Sequence, residues 1–169
     1  TQQETLFPYT TLFRSPGALD DDNVNGTIDF TFRTELVAVG NYVFMDNNDN
    51  GTFDSGTDMP LSDVAVDLYV SGSVVGTDAP LLSTTTNANG YYYFDELDEG
   101  DYFVHIPASN FDAGQPLENK ESYPGADATD NTDNNDNGED TPVDGGISSN
   151  TFTLTPNSEP TGEDETDYP

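Results

Sequence analysis

Carboxylates dominate this sequence: 33 Asp and Glu residues stand against only 3 Lys and Arg, giving a formal net charge of -30 over 169 residues. Because like charges repel one another in a compact state, folding requires cations or high salt to neutralise part of that field. Only 33% of the residues are hydrophobic, which is enough for one domain with polar tails. The same charge predicts that neither nucleic acid nor an anionic membrane is a partner.

Two further classes of protein are disfavoured by composition. No stretch approaches the roughly 20 apolar residues of a membrane-spanning helix, so we expect no direct membrane insertion. The chain contains no Cys, which excludes disulfide bonds without fixing the compartment. We expect any export signal or anchor to lie outside this stretch.

The first residues differ from the rest of the chain. Residues 6–15 read LFPYTTLFRS, which is the in-frame translation of a widely used sequencing-library adapter. We therefore expect residues 1–15 to be an artefact without fold or function; the alternative is a natural disordered N-terminal arm.

Alternating apolar residues predict an all-β chain. In the segment TIDFTF, for example, Ile28, Phe30 and Phe32 lie on one face of a strand. Turn signals such as Asn50-Gly51 separate the segments, and no window has clear helical periodicity. Several short strands at this spacing are typical of a β-sandwich. The predicted strands are residues 27–32, 36–45, 64–70, 81–86, 91–94, 102–106 and 147–155.

Two segments do not fit a strand pattern. Residues 107–146 are long, polar and rich in Asp and Asn, which predicts a loop or ion-binding arm outside the core. Residues 156–169 are likewise acidic and turn-like.

One stretch carries a family resemblance. Residues 86–102 read TNANGYYYFDELDEGDY and resemble the signature of the prealbumin-like repeats of bacterial surface adhesins, in particular the SdrD B-like domain family. Residues 39–54, VGNYVFMDNNDNGTFD, look like the opening strand and acidic loop of such repeats. The signature positions are Ala88, Gly90, Tyr92, Phe94, Leu97, Gly100 and Tyr102.

The resemblance implies a seven-stranded Greek-key β-sandwich of prealbumin-like (immunoglobulin-like) type with a long acidic loop. It also divides the chain: residues 16–34 look like the tail strand of a preceding repeat, 35–155 like one repeat, and 156–169 like an acidic segment leading to a missing last strand. Since an unpaired apolar edge is a liability, we expect residues 27–32 to fill that missing edge.

Residues 46–58, DNNDNGTFDSGTD, have the spacing of a calcium-binding loop. Alternate side chains in a tight loop direct their oxygens to one centre, and Gly51 permits the sharp turn. The twelfth position has Thr57 where a bidentate Glu is usual, so Asp58 is expected to substitute for it. An Asx-rich turn without an ion is the alternative. The candidate ligands are Asp46, Asn48, Asn50, the carbonyl of Thr52, Asp54 and Asp58.

The same DxNxNG spacing occurs twice more. Within residues 127–140 it places Asp133, Asn135 and Asn137 as ligands of a second Ca²⁺, the alternative being a solvated acidic loop. A weaker third match precedes the first predicted strand, at Asp21, Asn23 and Asn25.

Catalytic chemistry has little support in the sequence. His105 is the only imidazole, and we interpret it as a strand side chain near the surface. No pair of carboxylates is set apart as an acid and a base. Related pilus and adhesin domains form Lys–Asn isopeptide crosslinks, but the only Lys here, Lys120, falls in the long loop, so we expect none. Tyr91 and Tyr93 alternate with Tyr92 and are expected on the outer face.

These observations predict a calcium-binding structural spacer in an extracellular, cell-surface or secreted adhesin-like protein, and no enzyme. Its expected partners are neighbouring repeats of the same polypeptide, with host protein or carbohydrate bound through other domains. Two alternatives remain open: a carbohydrate- or protein-binding module that uses the tyrosine face, and an accessory domain of a secreted hydrolase.

Overall fold

The computed structural model describes residue 30 and residues 34–122, 138–140 and 145–158. The chain divides into two units, Thr1–Thr34 and Glu35–Pro169, and nearly all described residues belong to the second. The predicted strand at residues 27–32 lies outside the described residues apart from Phe30, which is exposed and in no strand.

The second unit is built from short strands, as the alternating pattern predicts. Their bounds are β1 Val37–Tyr42, β2 Phe44–Met45, β3 Met59–Pro60, β4 Ala65–Val70, β5 Leu82–Thr85, β6 Tyr91–Leu97, β7 Gly100–Ile106, β8 Glu139–Asp140, β9 Ile147–Ser148 and β10 Phe152–Leu154.

All strand pairs are antiparallel and form two layers with a small ribbon. One layer is the pair β1–β6. The other has the order β5-β4-β7-β9-β8, with β10 also paired to β7. Strands β2 and β3 form a separate two-stranded ribbon. The predicted all-β sandwich is thus confirmed.

The core lies between the two layers. From β1 and β6 it takes Val37, Phe94 and Leu97, and from β4 and β7 it takes Val66, Leu68, Tyr102 and Val104. The β4 and β7 positions alternate along their strands, which is why the period-two apolar pattern identified them, whereas Phe94 and Leu97 of β6 are three residues apart because Glu96, at a φ of 54°, interrupts the alternation. Because each such side chain contributes about 1.5–3 kcal/mol on burial, this cluster is the main source of the domain's stability.

Two predicted strands are interrupted in the structure. The strand predicted at residues 36–45 breaks at Val43, whose N–H donates to Gly90 O and whose carbonyl accepts from Leu61 N, both at 2.9 Å. The strand predicted at 147–155 breaks around Ser149. There the Ser149 hydroxyl oxygen accepts the N–H of Val104 at 3.0 Å and so replaces a backbone carbonyl. A hydrogen bond from a side chain, or a change of partner strand such as the one at Val43, leaves no trace in an alternating pattern.

The segment after β7 was predicted to lie outside the core, and for its first part that prediction is wrong. A short 3-10 helix, Ala108–Phe111, follows β7, and Asn110 and Leu117 are buried. The Asn110 amide accepts the N–H of Ala65 at 2.8 Å and donates to its carbonyl at 2.9 Å. A polar side chain that satisfies a strand's backbone can be buried at little cost, so composition alone misjudged this segment.

The turn between β6 and β7 is fixed by a tyrosine. The Tyr102 hydroxyl donates to the carbonyl of Asp98 at 2.8 Å. Burial, reinforced by the Asp98 carboxylate, raises the pKa of Tyr102, so the phenol stays protonated and remains a donor at neutral pH.

Candidate metal centre

The acidic loop, residues 46–58, is held at both ends by the ribbon β2–β3. Met45 pairs with Met59 and Phe44 with Pro60, so the loop is the closed end of a hairpin. It contains four Asp and no basic residue. The sequence therefore folds four carboxylates into one tight, surface-facing turn.

Asp46 organises the first half of this acidic loop. Its Oδ1 accepts the N–H of Asn48 at 3.1 Å and of Asp49 at 2.7 Å, and its Oδ2 accepts the N–H of Gly51 at 2.7 Å. The backbone can curl around the carboxylate because Asp49 and Gly51 adopt positive φ values of 61° and 75°. One carboxylate thus holds three backbone N–H groups of the turn that follows it.

These hydrogen bonds also change the acidity of Asp46. Burial opposes the charged form, but the backbone N–H groups of Gly51, Asp49, Asn48 and Asn50 outweigh it and lower the pKa of Asp46. The folded loop therefore favours the ionised side chain, which is also the form that binds a cation.

Acid is expected to open the loop only below the pH at which an ordinary Asp titrates, about 3.9. Because the pKa is lower in the folded state, the stabilisation is complete above the unfolded pKa and is lost as the pH falls through the folded one. The ¹³C chemical shift of the Asp46 side-chain carboxyl carbon, followed against pH, would measure this pKa. A titration midpoint at or above the value of a free Asp would contradict it.

Three of the other predicted ligands converge on one point. The side-chain amides of Asn48 and Asn50 each donate to Asp54 Oδ2 at 2.8 Å. The Asn50 Oδ1 atom in turn accepts the N–H of Thr52 at 2.8 Å. The structure brings these three side chains together, but it is the amide nitrogens of Asn48 and Asn50 that face Asp54. That their oxygens hold a cation stays a prediction.

Asp58 closes the acidic loop from its far end. It is buried, and its two oxygens accept the N–H of Asn47 at 2.8 Å and of Asp54 at 2.7 Å. The carboxylate thus ties the beginning of the loop to its end. Its position next to Asp54 keeps it near the converging side chains, while both of its oxygens also support the backbone.

Two contributing residues were not identified from the sequence. Asn47 ties the loop together by donating its amide to the Thr57 carbonyl at 2.7 Å, and Phe53 packs its ring on Tyr42, with ring centres 4.7 Å apart. The signal for Phe53 was available: it is the only aromatic residue in an otherwise polar loop.

The donor atoms of this loop are oxygens, which suits a hard cation such as Ca²⁺ better than a transition metal. Within the described residues, no group of three or more His, Cys, Asp or Glu side chains is placed to hold a metal ion. A cation at this loop therefore needs amide or backbone oxygens in addition to carboxylates.

A cavity of about 500 Å³ opens beside the acidic loop. Asp46 and Asp49 line it, together with apolar side chains such as Val104 and Leu117. Gly138, the last residue of the second DxNxNG motif, lines the same cavity. The predicted ligands Asp133, Asn135 and Asn137 lie outside the described residues, as do Asp21, Asn23 and Asn25.

The prediction that His105 lies near the surface is wrong. His105 is 1% exposed, and its Nδ1 lies 2.8 Å from the Ser148 hydroxyl oxygen. The strands beside β7 supply the neighbours of the His105 ring: β4 contributes Tyr69, whose ring centre lies 6.1 Å from that of His105, and β9 contributes Ser148. Close by, a Cβ on Gly146 would lie 2.6 Å from the His105 ring.

The outer tyrosine face is smaller than the sequence suggested. Tyr91 packs edge-on against Tyr42, with ring centres 5.3 Å apart, whereas Tyr93 is 44% exposed. Phe94 faces the core, as alternation predicted. Of the two tyrosines predicted on the outer face, only Tyr93 is therefore strongly exposed.

The sequence model of one protein family matches this chain. The SdrD B-like domain model covers residues 37–143, which is well over half of the chain and includes β1 to β7 and the acidic loop. The chain belongs to the SdrD B-like domain family. The resemblance seen in residues 39–54 and 86–102 is thus confirmed.

Several known proteins contain regions similar to this SdrD B-like domain. Colossin-B of Dictyostelium discoideum is 49% identical over 70 residues, which is 40% of this chain and 2% of that protein. The bone sialoprotein-binding protein of Staphylococcus aureus (strain MRSA252) is 41% identical over 85 residues, 49% of this chain and 7% of that protein. The fibrinogen-binding protein of Staphylococcus epidermidis is 33% identical over 118 residues, which is 61% of this chain and 10% of that protein.

This chain therefore spans at most a tenth of the length of these three relatives. SdrD B-like domains are structural repeats of surface adhesins and are not an enzyme family. Because the relatives are cell-surface or secreted adhesins, this domain is placed outside the cell, at the surface or in a secreted protein. In the described part of the chain, no helix has the length and apolarity needed to cross a membrane.

Proposed function

We propose that this SdrD B-like domain is a calcium-binding spacer repeat that stiffens the stalk of a surface adhesin. The observation that carries the proposal is the convergence of Asn48 and Asn50 on Asp54 Oδ2, inside a loop whose backbone is already shaped by Asp46. These side chains lie close together and carry the oxygen atoms that a hard cation binds once the two amides turn towards it.

The side-chain amides of Asn48 and Asn50 support the proposal because the two ends of an amide are nearly equal in shape. Both donate N–H groups to Asp54 Oδ2. A half-turn of the Asn48 amide therefore presents an oxygen in the same place. The same turn of the Asn50 amide also breaks the hydrogen bond from the Thr52 N–H to its Oδ1. The hydrogen bonds made by Asp46 and Asp58 can persist through that change.

Charge supplies the driving force. The four Asp of the acidic loop belong to a chain with a formal net charge of -30, and their mutual repulsion favours an open loop. A divalent cation removes that repulsion and binds only the closed form, so its stabilisation of the folded domain grows with the logarithm of its free concentration above the dissociation constant.

We extend the proposal to the second motif, with Asp133, Asn135 and Asn137 as ligands of another Ca²⁺. Its support is the position of Gly138, which lines the cavity that Asp46 and Asp49 also line. Calcium ions bound by two motifs about 90 residues apart in sequence would then neutralise negative charge around one region of the domain.

The spacer role is supported by the family, whose members are structural repeats of surface adhesins. We propose that the partners of this domain are neighbouring repeats of the same polypeptide. The names of two relatives refer to binding of bone sialoprotein and of fibrinogen. By analogy, we assign any adhesion to host protein or carbohydrate to other domains of the full-length protein.

A calorimetric titration of the chain with CaCl2 tests the proposal. We expect saturable binding with a dissociation constant on the order of 0.1–1 mM, as is usual for extracellular calcium modules. MgCl2 at the same ionic strength is the control and is expected to bind more weakly, because Mg²⁺ gives up its water reluctantly. Absence of saturable calcium binding up to about 10 mM would refute calcium binding.

A further inference from the structure

Four aromatic rings from separate parts of the chain meet beside the acidic loop. They are Tyr42 of β1, Phe44 of β2, Phe53 of the loop and Tyr91 of β6, here called the aromatic cluster. The Tyr42 ring centre lies 4.7 Å from that of Phe53, 5.3 Å from Tyr91 and 5.8 Å from Phe44. Phe44 and Phe53 are 5.4 Å apart. These are distances at which aromatic pairs attract one another.

Phe53 is the member that belongs to the loop. Its ring is half-buried, whereas residues 47–50 of the same loop are exposed. The next residue is Asp54, on which the two Asn amides converge and whose N–H is held by Asp58. Because consecutive Cα atoms are 3.8 Å apart, Asp54 cannot shift far without moving the Phe53 backbone.

The hydrogen bonds of the acidic loop described above join loop residues to one another. The ring of Phe53, by contrast, reaches Tyr42, and Tyr42 is paired with Tyr91 in the β1–β6 sheet. The aromatic cluster is thus a direct packing route from the loop to the strands of that layer.

We infer that Phe53 is a positioning residue that couples the shape of the acidic loop to the β1–β6 pair. When the loop is closed, Phe53 packs on Tyr42, which packs on Tyr91 at the end of the two strands. When the loop opens, the packing of Phe53 on Tyr42 is lost and the strand ends loosen. The inference rests on the proposed function only for the identity of the ion that would act through it.

A double-mutant cycle in ion-free buffer tests the coupling without any assumption about calcium. Asp46→Asn removes the acceptor for the Gly51 N–H and so loosens the loop, and Phe53→Ala removes the ring. The measurement is backbone hydrogen exchange of the β1–β6 amides. Because an aromatic pair contributes about 0.5–1.5 kcal/mol, we expect Asp46→Asn alone to accelerate exchange up to about tenfold. In the Phe53→Ala background it should add no more than about twofold.

Equal acceleration by Asp46→Asn in both backgrounds would overturn the inference, as would no acceleration in either. Tyr93→Ala is the matched control: it removes an aromatic ring from β6 outside the aromatic cluster, and the effect of Asp46→Asn should persist in it. Phe53→Leu, which keeps an apolar side chain, should retain part of the coupling. If calcium fails to bind, the proposed function falls while this cycle still decides the coupling.

Discussion

Asp46→Asn is expected to remove most of the calcium response of this domain and to destabilise it even without calcium. The variant keeps one acceptor oxygen but places an NH₂ group opposite the Gly51 N–H, which now donates to Asp46 Oδ2 at 2.7 Å. By analogy with the loss of a capping side chain, the ion-free protein should lose about 1–2 kcal/mol. Calcium affinity should fall by about tenfold or more, since a charged ligand is lost.

Asp49→Asn is the matched control for this experiment. It removes the same charge from the same loop, and Asn tolerates the positive φ of 61° at that position. Both variants would be compared by thermal melting and calcium titration. Equal responses in the two would show that the loop attracts cations only through its total charge, and would contradict a specific role for Asp46.

Gly90→Ala is expected to cost about 3 kcal/mol or more in the free energy of unfolding. Gly90 has a φ of +81°, and a Cβ there would lie 2.6 Å from Val43 O and 3.0 Å from the Pro60 Cβ. The Val43 carbonyl is already bonded to Leu61 N, so it cannot move away easily. Left-handed strain of about 1–2 kcal/mol adds to an overpacking cost of about 1–3 kcal/mol.

Gly76→Ala separates these two costs. Gly76 has a similar φ of +78°, but a Cβ there meets nothing within 4 Å, so only the backbone strain remains. Urea denaturation should show a loss of about 1–2 kcal/mol for Gly76→Ala and a clearly larger one for Gly90→Ala. Equal losses would mean that the contact with Val43 relaxes freely.

Sequence patterns predicted the strands of the core and the place of the acidic loop. Alternation was sufficient for β4 and β7 because one face of each strand is buried against the other layer. The strand predicted at residues 91–94 runs on to Leu97 in the structure. There Glu96 adopts a φ of 54°, and the register against β1 shifts between Val37 and Val39. A bulge of this kind is set by cross-strand pairing, which a single strand's pattern does not contain.

The finer features of the site depend on tertiary contacts. Spacing predicted that Asn48, Asn50 and Asp54 would converge, but it could not show that the amides donate to the carboxylate, because either end of an amide fits. Burial of His105 depended on strands that pair with β7 from distant parts of the chain. The role inferred for Phe53 likewise depends on rings that β1, β2 and β6 bring together.

The central claim, that calcium stabilises this SdrD B-like domain, is tested most directly by thermal melting in about 5 mM CaCl2 and in excess chelator at fixed ionic strength. With a dissociation constant on the order of 0.1–1 mM, calcium should add about 1–2 kcal/mol and raise the midpoint by roughly 5–10 °C. Magnesium should raise it less. The same midpoint in calcium and in chelator would contradict the claim and identify the acidic loop as an ordinary turn.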